Sequence, residues 1–250
     1  MHVGALAPVT VYVVAVIFVA TVIRSTLGFG EALVSVPLLA LRIPVAVAAP
    51  LAVLVSVVVA GVIVAQDWRR IEFRSAAGLI AASFVGIPLG ILLLAAVDDH
   101  VVKLILGAII AMFSLYSLTA GRALHLAEDH AGWLLACGFV SGVLGGAYGM
   151  NGPPLAVYGA LRRWSPRQFR ATLQGYFLPA SLAGLAGYAF IGLWTPEATR
   201  YFVLSLPGIV VAIVLGRVLN HRLAGRGFLR AVHLGLIVTG AVLFVQALGA

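Results

Sequence analysis

Two apolar runs in this chain are too long for a single membrane helix, and both are broken inside by glycine. Eight runs occur in all, at 8–41, 44–65, 75–97, 101–120, 131–161, 171–194, 201–216 and 229–248. Six have the length of one span, for which about 20 residues suffice. The first and fifth carry Gly28-Phe29-Gly30 and Gly145-Gly146-Ala147-Tyr148-Gly149-Met150-Asn151-Gly152-Pro153-Pro154. Interrupted backbone at membrane depth is tolerated only where it is buried in protein or lines a cavity. Each long run is therefore a broken helix, or a helix followed by a re-entrant half-helix. Composition agrees: 62% of the 250 residues are apolar and 10% charged, against roughly 25% charge in soluble domains. The sequence predicts an all-α polytopic membrane protein.

The two breaks are related to each other. A shift of 117 residues lays Leu27-Gly28 on Leu144-Gly145 and Pro37-Leu38 on Pro154-Leu155, and three further apolar runs follow each break. The expected organisation is two repeats, 1–121 and 122–250, each a broken or re-entrant element plus three transmembrane helices. Loop charge gives their orientation. The loops at 66–74, 122–130, 162–170 and 217–230 carry twelve arginines, while the other ends carry only Arg42, Lys103 and Arg200. By the positive-inside rule the arginine-rich loops are cytoplasmic. Both ends of the 131–161 element then lie inside and both ends of the 8–41 element outside, so the repeats are inverted. Inverted repeats with broken helices mark secondary transporters, whose substrate site lies near the midplane.

The net charge of +8 is explained by these topogenic clusters, so no nucleic-acid partner is expected. Cys137 is the single cysteine, which excludes an internal disulfide and a cysteine-based metal site. No cofactor is expected.

The stretch Gly138-Phe139-Val140-Ser141-Gly142-Val143-Leu144 that leads into the second break resembles the second-repeat motif of the sulfite exporter TauE/SafE family. So does the break itself, together with Phe169-Arg170-Ala171-Thr172 and Tyr176-Phe177-Leu178. Thr26 to Leu39, with Gly28, Gly30 and Pro37, is similar to the family's first glycine motif, although Glu31-Ala32 stands where the family often continues with glycine. The resemblance implies a permease in the inner or plasma membrane for sulfite, sulfoacetate or similar small sulfur-containing anions. It also implies an ion gradient as driving force, with proton coupling as one option, and a homodimer is compatible with it. A different small anion, or a role as a membrane assembly factor, is the alternative.

The residues themselves point the same way. Arg24 lies inside an apolar run, one turn before Gly28. An arginine at membrane depth is costly and is paired or functional; its planar fork suits an oxyanion. Glu31, the only carboxylate inside an apolar run, is either a proton-coupling group or the counter-ion of Arg24. The breaks at Gly28, Gly30, Gly145, Gly146, Gly149 and Gly152 would offer backbone N–H groups at half-helix N-termini, which favour anions. Ser25, Thr26, Tyr148 and Asn151 add neutral donors, and Gln174, polar in the span after the second break, is expected to face the same cavity. Close packing through small residues is the rival account of the glycines. An intramembrane enzyme is disfavoured. No G-x-S-x-G elbow or H-E-x-x-H cluster occurs, and apart from His2 near the terminus the only histidine in an apolar run is His233.

Overall fold

The computed structural model describes residues 3–119, 130–223 and 245. Among them it has nine α-helices and no strands. In chain order they are α1 (Val3–Leu27), α2 (Glu31–Ala40), α3 (Val45–Asp67), α4 (Phe73–Ala96), α5 (Asp99–Thr119), α6 (Ala131–Tyr148), α7 (Gly152–Leu161), α8 (Pro166–Phe190) and α9 (Pro196–Leu223). A single 3-10 turn, Trp68–Arg70, joins α3 to α4. Apart from residue 245, the expected run 229–248, with His233, lies outside the described residues. Helices α1, α3, α4, α6 and α9 each contain a segment long and apolar enough to cross a membrane.

The molecule is inside-out by the standards of a soluble fold. Large apolar side chains stand exposed along the bundle, among them Phe84, Val85 and Leu92 on α4 and Val210, Val211 and Val214 on α9. Polar and charged ones are buried instead, including Thr21, Arg24, Glu31, Ser56, Asn151 and Gln174. Such a surface is stable only where hydrocarbon replaces water. The chain is a multi-pass membrane protein.

Both long apolar runs fold back on themselves. The Tyr12 hydroxyl donates to the Leu38 carbonyl at 2.6 Å. Tyr12 lies fifteen residues, about 22 Å, before the end of α1, so only an α2 running back beside α1 can bring Leu38 to it. Helix α2 has 10 residues, about 15 Å, or half of a hydrocarbon layer about 30 Å thick. The tip between them needs positive φ at Gly28 (89°) and Gly30 (98°), a region open to glycine and strained for other residues. At the second tip the Gly149 N–H donates to the Gly145 carbonyl and the Met150 N–H to the Leu144 carbonyl, with Gly149 at φ 67°. The Gly149 bond to Gly145 is an αL cap, which ends α6 and turns the chain into the 10-residue α7.

The two hairpins enter from opposite ends of the bundle. One end gathers the arginine-bearing segments. The Glu72 N–H there donates to Thr172 Oγ1 at 3.0 Å, Gln168 Nε2 donates to Glu72 Oε2 at 3.1 Å, and Arg217 donates to Gln66 at 3.4 Å. At the other end the Val45 N–H donates to Asp99 Oδ1 at 3.1 Å, tying the start of α3 to the start of α5. Helix α6 runs parallel to α4 from the arginine-rich end, and its tip reaches the far side, where Tyr148 donates to the Val102 carbonyl at 3.1 Å. Helix α1 runs parallel to α9 from the far end, and its tip reaches the arginine-rich half, where Gly28 lies against Arg170 of α8.

Small residues make these approaches close. A Cβ added at Gly86, Gly90, Gly138, Gly142 or Gly146 would collide with backbone of the facing helix of the α4–α6 pair. A Cβ at Gly216 of α9 would collide with Ser25 of α1. Stripes spaced by four are the usual means of such contact in membranes.

The boundaries of the elements also revise the correspondence read from sequence. A shift of 121 carries the ends Leu27, Ala40 and the starts Glu31, Val45 onto Tyr148, Leu161, Gly152 and Pro166. The shift of 117 read from sequence is four residues short. One helical turn separates the two shifts, so the same helix faces align in either register, and matching apolar or glycine residues does not distinguish them.

Candidate functional site

Arg24 and Glu31 form an ion pair at the crossing of the two hairpins. Their side chains are 4% and 2% exposed, and Arg24 Nη1 lies 2.6 Å from Glu31 Oε2. Seven residues separate them in sequence, and the glycine tip brings the first turn of α2 back over the last turn of α1. Neither charge would be tolerated alone at this depth: removing one partner of a buried pair costs about 3–5 kcal/mol.

The guanidinium is held from three sides. Nη1 also donates to Ser56 Oγ at 2.9 Å and Nη2 to Gln174 Oε1 at 2.7 Å. The Phe177 ring lies beneath it, 4.9 Å from Cζ to the ring centroid, a cation–π distance. Ser56 in turn is 2.9 Å from Ser181 Oγ. Gln174 Nε2 donates to the Gly28 carbonyl at 2.6 Å, so this one amide ties the guanidinium, the first tip and α8 together. Ser56 stands eleven residues into α3, about 16 Å from its start. The pair therefore lies near mid-depth.

Among the described residues the set is incompletely satisfied. Arg24 Nε and Glu31 Oε1 are buried with no hydrogen-bond partner there. Beside them is a cavity lined by residues of both tips, including Gly30, Ala32, Leu33, Gly149, Asn151 and Gly152. Its space for water centres is about 20 Å³, room for about one water. Arg24 and Glu31 both line the cavity. Glu31 and Ser56 occupy Nη1 and Gln174 occupies Nη2, which leaves Nε as the unpartnered nitrogen of the guanidinium among the described residues.

The backbone donors at the two tips are unequal. The N–H groups of Glu31, Ala32 and Leu33 open the first turn of α2 with no intrahelical acceptor, and all three residues line the cavity. In α7, Pro153 and Pro154 have no N–H to offer. The side chain of Asn151 lies directly over Gly145, where a Cβ would overlap it. A second polar cluster lies beyond it: the buried Tyr176 hydroxyl faces Ser83, Ser141 and Asn151 without closing a hydrogen bond.

Of the residues singled out from sequence, Arg24, Gly30, Glu31, Gly149, Asn151 and Gly152 line the cavity. Gln174 and Gly28 are bound to that group. The others lie elsewhere. Ser25 and Thr26 turn toward Gly216 of α9, Gly146 backs onto Ile87 and Gly90 of α4, and Tyr148 is bonded to α5. Gly145 serves as the floor beneath Asn151. For these residues, packing is the better account.

Ser56, Phe177 and Ser181 were not anticipated. Their signal was present in part: Gln174, Phe177 and Ser181 fall at i, i+3 and i+7, one face of α8.

These features define a class: a multi-pass helical membrane protein with a buried charged pair between two opposed, glycine-tipped hairpins. The chain belongs to the family described as Sulfite exporter TauE/SafE, whose model matches residues 13–243. Membership makes it a membrane transport protein of the sulfite-exporter class. No curated protein and no solved structure matches the chain.

Proposed function

We propose that this protein is a secondary transporter of a small sulfur-containing oxyanion, sulfite or an organosulfonate, across the cytoplasmic membrane. The anion binds Arg24 at mid-depth between the two tips. The single observation that carries this reading is the buried guanidinium of Arg24, bordered by a cavity to which both hairpins contribute. Sulfonate and sulfite each present three oxygens on a pyramidal SO3 group, two of which a guanidinium grips bidentately. The free N–H groups of the α2 first turn and the Asn151 amide supply the remaining donors.

In this mechanism Glu31 occupies the guanidinium when no anion is bound. The arriving anion displaces its carboxylate, and the freed Glu31 either takes a proton or turns to water. The structural counter-ion role is favoured, because the Glu31 carboxylate already accepts from Arg24 Nη1 at 2.6 Å. The buried charge stays balanced when the arriving anion is a monoanion and the displaced Glu31 carboxylate takes a proton.

Two inverted repeats, 1–121 and 122–250, give the alternation of access. The reading is supported by the opposed hairpins and by the reciprocal pairing of α1 with α9 and α4 with α6. The arginine-rich end is cytoplasmic by the positive-inside rule. The test is sulfite counterflow in proteoliposomes. Wild-type protein should exchange external for internal sulfite, and Arg24→Lys should lose most of that exchange, since a point charge replaces the planar fork. Full exchange by a folded Arg24→Lys variant would remove Arg24 from the site.

A further inference from the structure

We infer that Arg170 is a second anion-binding residue, at the arginine-rich end, which receives the substrate before Gln174 and Arg24. The inference rests on the function proposed above. Arg170, Gln174, Phe177 and Ser181 stand at i, i+4, i+7 and i+11 on α8, one continuous helix face. Three of the four are already engaged at the central site: Gln174 and Phe177 with Arg24, and Ser181 with Ser56. Arg170 is one turn nearer the arginine-rich end. The first tip bears directly upon it, with the position of an absent Gly28 Cβ only 3.1 Å from Arg170 Cβ and Cγ. Arg170 thus stands over the outside of the same tip whose inner side Gln174 latches.

Its own polar atoms are not used up by the fold. Nε is buried and has no hydrogen-bond partner among the described residues. The charged groups acting on it are Asp67 and Arg217. Asp67 is engaged by Arg70 at 3.1 Å, and Arg217 by Gln66 at 3.4 Å. Arg69, Arg70, Arg74, Arg163 and Arg167 lie in the segments of the same end, so an arriving anion meets a concentration of positive charge before the apolar depth begins. A half-buried arginine whose Nε has no partner among the described residues is a suitable first station. From it to Arg24 the only polar side chain on that face of α8 is Gln174. Its amide oxygen holds Nη2 of Arg24, and its amide nitrogen holds the Gly28 carbonyl. Passage requires this amide to let go of both. Gln174 is then the inner latch and Arg170 the residue that loads it.

The test measures sulfite flux from each face separately, in proteoliposomes of known orientation, with sulfite itself as the probe. Arg170→Gln should raise the half-saturating sulfite concentration about tenfold at the arginine-rich face, the scale of one charge-assisted hydrogen bond. The opposite face should keep its wild-type value. Arg170→Lys should recover part of the loss, and the difference between variants should shrink at high salt, as a partly exposed charge requires. An equal shift at both faces, or none at either, would overturn the role of Arg170 and leave the central site standing. Absence of sulfite flux in the wild type from either face would remove the proposed function, and this inference with it.

Discussion

Arg24 and Glu31 set the energetics of the pocket, and their substitutions should separate charge balance from anion binding. Arg24→Gln alone strands a buried carboxylate and should destabilise the protein by about 3–5 kcal/mol. Adding Glu31→Gln removes the stranded charge, so the double variant should recover most of that loss in a thermal-unfolding comparison. Equal stability of the single and double variants would mean that the two groups are not coupled. Glu31→Gln alone should tighten sulfite binding, because the internal competitor for the guanidinium is gone. The sequence made this pair visible, since a lone arginine and a lone carboxylate in apolar runs stand out against their surroundings. It hid the other residues on the guanidinium. One serine in an apolar helix is ordinary, and only the packing of α3 against α8 makes Ser56 and Ser181 partners.

At the scale of elements, glycine has two separable roles, and substitution should tell them apart. Gly90→Ala places a methyl group against the Val143 carbonyl of α6. It should cost about 1–3 kcal/mol through forced separation of the helices. Gly61→Ala, on α3 with open space around it, should be neutral or slightly stabilising, as alanine favours the helix. Melting temperatures of the purified variants check both; a Gly90→Ala protein as stable as Gly61→Ala would contradict the close packing of α4 on α6. Gly28→Ala should destabilise for a different reason, since the left-handed φ at the tip disfavours any side chain. The extents of α3, α4 and α5 were legible to within a few residues, because apolar runs and polar breaks mark them directly. Helices α8 and α9 begin about five residues before their apolar runs, at Pro166 and Pro196. Proline at the first helical position starts a helix without needing an apolar residue. Loop charge shows that each long run returns to the side on which it starts, but not whether it does so as a hairpin or as two short crossings, which share one composition. The Tyr12–Leu38 bond places α2 back beside α1.

For the whole molecule, charge predicts the sidedness. The described segments at one end carry Arg69, Arg70, Arg74, Arg162, Arg163, Arg167, Arg170 and Arg217, and those at the other Arg42, Lys103 and Arg200. Reporter fusions after Arg122 and after Ala250 should therefore report opposite sides, with Arg122 cytoplasmic; two cytoplasmic reports would contradict inverted repeats. This orientation also bears on energetics. A dianion leaving a cell gains roughly 2.3 kcal/mol per charge per 100 mV of inside-negative potential. Export then needs no coupled proton.

The central claim is that the anion takes the place of Glu31 on Arg24, and one calorimetric titration tests it. Sulfite is titrated into the purified wild type, Glu31→Gln, and the Arg24→Gln/Glu31→Gln double variant, each verified as folded. The account predicts binding by the wild type, tighter binding by Glu31→Gln, and none by the double variant. Sulfite binding by the double variant at wild-type affinity would contradict it.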